Sequence, residues 1–154
     1  MREILFRGQT RKKDQKVWMD GTPVDGEWVY GGVLQGIGDF SIIYGGKNAN
    51  DPGEGLEKWC VYTDTLGQFT GLTDKNGKKI FEGDFVKEQD VVHNGEIQIP
   101  GHIFSVVMRK GCWCVIPIYD TEEWDFLNSY LPFLEVIGNI HDNPELLGGA
   151  EHET

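Results

Sequence analysis

Two cysteines one residue apart, Cys112 and Cys114, have the most chemically suggestive spacing in the chain. Residues two apart on a strand share a face, so both thiolates could meet one zinc ion, with His93, His102 or Cys60 completing a tetrahedron. A structural zinc site normally brings a second ligand pair at short spacing, and the two histidines are too scattered to supply it. Cys112 and Cys114 are therefore expected to be small apolar side chains buried in a core strand, with no metal bound.

The remaining candidates meet similar objections. Glu82 and Asp84 flank a glycine and could form an acid/base pair in a cleft, but Asp in such a corner commonly accepts hydrogen bonds from the turn backbone. His141-Asp142 could be part of a dyad, yet neighbours on a strand point to opposite faces and no serine or cysteine motif is placed to use them. Asp74-Lys-Asn-Gly-Lys78 begins like a calcium loop. That loop needs glycine at its sixth position and glutamate at its twelfth, where this chain has Lys79 and Phe85. Gly31-Gly32 and Gly36-x-Gly38 open no helix, so no phosphate cradle is expected. The reading assigns no catalytic, cofactor-binding or metal-ligating residue.

The elements that would position these residues read as short strands. Twenty-one glycines in 154 residues, with eight Phe, five Trp and five Tyr, point to aromatic-rich strands between tight turns. Ile4 to Gln9, Glu27 to Leu34, Phe40 to Tyr44 and Trp59 to Tyr62 are strand-like, as is a return strand at Lys16 to Met19 after a polar tip. Gly45 to Gly55 is a surface loop. Asn76-Gly77 predicts a hairpin tip, because both residues tolerate positive φ. Ile103 to Met108 should pair with Cys112 to Tyr119 across Arg109-Lys110-Gly111. One helix is predicted from a cap at Asp120, with Trp124, Leu127 and Leu131 on one face and Pro132 ending it. Asn143-Pro144 predicts a short helical turn through Leu147.

The fold class is thus mainly β, with one or two short helices. An N-terminal β lobe over 1–65 precedes a lobe over 66–147 that resembles a small SH3-like barrel, and 148–154 form a frayed tail. At 39% hydrophobic and 25% charged residues the chain is a folded protein rather than a disordered one.

Three blocks carry a family resemblance: Ile4-Leu-Phe-Arg7, Gln68 to Val86 (with Thr70-Gly-Leu-Thr-Asp74, Asn76-Gly-Lys78 and Glu82-Gly-Asp84) and Val136-Ile-Gly-Asn-Ile140 running on through Asn143-Pro-Glu-Leu146. They resemble the YopX family of phage and prophage proteins. The pattern departs from the family in the loop at 45–55 and over 88–131. The resemblance implies a prophage-borne, cytoplasmic, largely β protein of unassigned role, and brings no catalytic residues.

Charge narrows the partners. The net charge of −11 repels phosphate backbones and anionic membranes. A basic cluster of Arg7, Arg11, Lys12, Lys13 and Lys16 is the exception, and reads as a solvated hairpin tip. Met1 to Gly8 lacks the apolar core of a secretory signal, no run nears the length of a spanning helix, and three cysteines fit a reducing cytoplasm. Trp18, Trp28, Tyr30, Tyr44, Trp59 and Tyr62 are denser than a small core needs, which suits a groove or a subunit interface. The expectation is a non-enzymatic protein-interaction module that forms a homo-oligomer or binds a host or phage protein. The alternatives are a nucleic-acid-associated protein using the basic cluster, and a hydrolase with carboxylates in a cleft between lobes.

Overall fold

The computed structural model describes residues 3–10, 26–36, 38–53, 57–119 and 122–147. The tip at Arg11 to Lys16, the return strand with Trp18, the Asp120 cap and the tail after 147 lie outside them. The chain divides into two compact units, Met1–Phe69 and Thr70–Thr154. Both are built from antiparallel strands with a few single helical turns, so the fold is mainly β. Among the described residues no helix is long and apolar enough to cross a membrane.

In the first unit, strands β1 (Phe6–Gln9), β2 (Trp28–Leu34), β3 (Phe40–Gly46) and β4 (Lys58–Tyr62) pair in the order β4-β3-β2-β1, and the opening residues of β5 (Gly67–Thr73) add beside β1. Alternation places Val29, Ile43 and Val61 in a fully buried core, with Phe6, Val33, Trp59 and Leu66 packed around them. Gly31 and Gly45 stand opposite each other across β2 and β3. A Cβ on either would run into the carbonyl of the facing strand, Tyr44 O or Tyr30 O, so only glycine permits this approach.

The second unit holds β6 (Lys79–Phe81), β7 (Asp84–Glu88), β8 (Val91–His93), β9 (Glu96–Ile99), β10 (Ile103–Arg109), β11 (Cys112–Pro117), β12 (Asp125–Phe126) and β13 (Leu134–Asn139). Its main sheet runs β12-β11-β10-β7-β13. Ile80, Val86, Phe104, Val106, Val115, Leu127 and Leu134 form its core. Each such side chain, fully buried, contributes about 1.5–3 kcal/mol.

Two expectations are corrected here. The SH3-like barrel does not close: among the described residues the sheet ends at β12 and β13, and β6 pairs with β5 instead of joining it. The predicted helix from Asp120 to Leu131 is replaced, over its described residues, by β12 and two 3₁₀ turns at Leu127–Ser129 and Leu131–Phe133. Asp125 and Phe126 pair with Val115 and Cys114, which satisfies backbone groups of a strand whose side chains are buried on both faces. The 3₁₀ turn then swings Leu127 into the core at full burial. Apolar spacing alone suggested a helix; the open edge of β11 decided otherwise.

The hairpin at Asn76-Gly77 forms, with Gly77 at φ +82°. Gly77 N–H donates to Asp74 O at 3.0 Å and Asp74 N–H to Lys78 O at 2.8 Å, so only Gly77 needs the left-handed region. The Asp74 carboxylate organises the turn. One oxygen accepts from the N–H groups of Asn76 and Lys78 at 2.8 and 2.9 Å, and the other accepts from Val136 N–H in β13 at 2.9 Å. Asp84 acts similarly in the next corner, accepting from Phe81 N–H at 2.8 Å while 2% exposed. At the far end, Asn139 Oδ1 accepts from the N–H groups of His141 and Asp142 at 3.0 and 2.9 Å, ahead of a helical turn at 145–147.

Asp74→Ala leaves three backbone donors without their acceptor, so it should destabilise the protein by roughly 3 kcal/mol. Urea unfolding reads this as a lower midpoint at unchanged slope. Asp74→Asn, which keeps one side-chain oxygen, should fall between Ala and the parent.

Candidate functional site

The second unit carries an open cavity of about 460 Å³. Phe104 from β10 and Val115 and Pro117 from β11, all buried, make its floor. The Tyr130 ring leans on Phe104 with centroids 5.3 Å apart. Trp124 and Tyr119 stand on the walls, and the Tyr119 ring lies 5.8 Å from that of His102. Glu88, Glu122, Glu123 and Asp125 also line the cavity, and among the described residues no lysine or arginine does. An aromatic basin edged by carboxylates is the result.

Local structure explains this placement. Glu88 ends β7 and His102 precedes β10, and their backbones meet through Glu88 N–H to His102 O at 3.0 Å. The Glu88 carboxylate holds both the N–H and the imidazole Nδ1 of His102. Asp125 in β12 accepts from Phe126 N–H at 2.7 Å, and its charge acts on the Tyr130 phenol. Burial, followed by the Asp125 and Glu88 charges, pushes the Tyr130 phenol above its ordinary range. The aromatic wall is therefore a neutral hydrogen-bond donor at physiological pH.

Between Glu88 and His102 the chain makes an excursion, the β8–β9 hairpin. Asn94 and Gly95 have φ of 51° and 78°, the pair of positive values that a two-residue type I′ turn requires. Val91 pairs with Ile99 and Val92 with Ile97, leaving Gln98 as the extra residue of a bulge. Neighbouring side chains alternate, so each face carries one branched apolar pair. All four are more than half exposed, from 53% for Val91 to 59% for Ile97. At its root Gly101 N–H donates to Asp90 at 2.7 Å, and that bond, then Lys87, holds the Asp90 carboxyl below the usual carboxylate range.

The residues that the sequence singled out scatter. Cys114 is buried, its thiol pushed up by burial first and by Cys112 second, whereas Cys112 is exposed; the expectation that both are buried fails for Cys112 because it opens β11 beside the turn. Cys60 lies half-buried in β4 and His93 is exposed on β8. Among the described residues no group of three His, Cys, Asp or Glu side chains could hold a metal ion. His141 and Asp142 serve the Asn139 turn. Arg7, counted with the basic cluster, is 6% exposed and stacks its guanidinium 4.6 Å from the Trp28 ring, so it belongs to the packing of the first unit. Of the named candidates only His102 enters the cavity. The hairpin and Glu88, Trp124, Asp125 and Tyr130 went unread, although Asn94-Gly95 between Val91-Val92 and Ile97-x-Ile99 was a visible hairpin signal.

The second unit is thus an open antiparallel sheet with an exposed hairpin and an acidic aromatic basin. A family model described as YopX protein matches residues 23–148, and the chain belongs to that family. It is similar to the crystal structure of protein EF1440 from Enterococcus faecalis, at 22% identity over 94% of this chain and 98% of that one, with a TM-score of 0.44. None of the curated proteins searched matches it.

Because the folded Tyr130 phenol holds its proton above the ordinary value near 10, its contribution to stability is complete below that pH and is lost as pH rises beyond it. Asp125→Asn should bring the Tyr130 titration back toward that value. Tyrosinate absorbance of the parent and of Tyr130→Phe, each with and without the Asn substitution, checks this.

Proposed function

We propose that the protein is a non-enzymatic interaction module of phage or prophage origin that works inside the bacterial cell by docking another protein on the β8–β9 hairpin. The observation that carries this reading is the hairpin itself. Two strands alone are marginally stable in water, and here both faces display branched apolar side chains to solvent. A partner strand or groove laid against it would cover Val91, Val92, Ile97 and Ile99 and pair its open edges. The YopX resemblance supports the phage or prophage origin. The basin's contacts support binding, since the Glu88 carboxylate is already held by His102; away from the basin, burial raises the Cys114 thiol and makes it a weak nucleophile.

Replacing Val92 and Ile97 by serine changes solvent-facing side chains only, so stability should move by no more than about 0.5 kcal/mol. The same pair should abolish capture of a defined partner that the parent retains from host lysate, identified by mass spectrometry. Capture unchanged in the double variant V92S/I97S would refute docking at the hairpin.

Self-association belongs to the same proposal, supported by the first unit. Trp28, Tyr30, Tyr44, Trp59 and Tyr62 are each only half-buried there. Light scattering across a dilution series should show mass above the 17.4 kDa monomer that falls on dilution. A constant monomer mass would remove self-association and leave hairpin docking to be judged by the variants.

A further inference from the structure

We infer that the basin at the root of the hairpin receives a basic side chain, arginine or lysine, from the polypeptide that docks there. Among the described residues four carboxylates line the cavity and no cationic Lys or Arg does, while Phe104, Tyr130 and Trp124 supply aromatic surface. A cation in this setting gains both from the ring quadrupoles and from charges that act across a floor of buried apolar side chains. The carboxylates do not gather three together around a metal-sized point among the described residues. Their spacing around an open cavity of about 460 Å³ instead suits a long organic cation, whose apolar stem lies on the rings while its head meets the rim.

Continuity with the hairpin says where the cation comes from. Glu88 and His102 line the basin and also form the first rung of the excursion that bears Val91, Val92, Ile97 and Ile99. A chain following the hairpin down to its root arrives at the rim. The net charge of −11 favours the approach of such a partner and disfavours acidic competitors. Lys110, whose ammonium lies 5.8 Å from the Trp124 ring centre, already shows one indole face of this wall meeting a cation.

The inference deepens the docking proposal, and the two fail separately, because the hairpin variants test partner capture whereas a short peptide tests the basin alone. The experiment titrates the full-length, ¹⁵N-labelled protein with four acetylated, amidated glycine-rich peptides that differ only at a central Arg, Lys, Gln or Glu. The Arg and Lys peptides should shift amide resonances of Phe104, Val115, Trp124 and Tyr130 in a saturable, salt-sensitive way. The Gln and Glu peptides should not. Glu122→Gln with Glu123→Gln changes exposed rim charges without touching the core, and should weaken the Arg peptide by about tenfold, near 1.4 kcal/mol. Equal binding of the Gln peptide, unchanged affinity in the double variant, shifts confined to other surfaces, or no response to Arg or Lys would each overturn the inference.

Discussion

The Asp74 carboxylate is the contact on which the second unit depends. It accepts two N–H groups of its own turn and one from β13, more than sixty positions along the chain. A charged acceptor in a nearly buried position loses its water, and only a full set of donors offsets that loss. Neighbouring bonds lean on the same junction: Lys75 N–H reaches Leu134 O at 2.9 Å, and Lys75 pairs with Glu135 at 3.7 Å. The start of the unit is thereby pinned to its end. β7, β10 and β11 are then held in register over the core of Ile80, Val106 and Val115.

This junction recasts the family pattern in physical terms. The central block supplies Asp74 with its Asn-Gly turn and Asp84 with its corner, and the final block supplies Val136 N–H and the Asn139 turn. Asp74, Asp84 and Asn139 each have backbone groups to serve. Their regular spacing records the geometry of turns.

How much was legible follows from whether a signal was local. Strand positions, the turn at Asn76-Gly77 and the pairing across Lys110-Gly111 depend on neighbours in sequence, and those that fall on described residues are found; the return strand at Lys16 to Met19 lies outside them. Asp84 as a corner acceptor was legible for the same reason. The path of residues 122–133 was not, because pairing to β11 is a contact at a distance that overrides the 3.6-residue spacing of Trp124, Leu127 and Leu131. The basin was hidden for a related reason. Its side chains come from β7, β10, β11, β12 and the turns beside them, with no fixed interval to betray a shared surface. The hairpin was legible and overlooked: four branched apolar residues around an Asn-Gly pair read as an ordinary strand pair until their exposure is seen.

The excursion at 89–101 is closed by its own stem. The Glu88–His102 rung and the Gly101–Asp90 bond join the two sides before the hairpin begins, and β7 and β10 continue from there into the sheet. Closing a longer loop over a fixed stem costs only slowly increasing entropy. Segments of different length and sequence can therefore be exchanged above this stem while the sheet below stays the same. The stem, rather than the hairpin it carries, fixes where β7 and β10 enter the sheet.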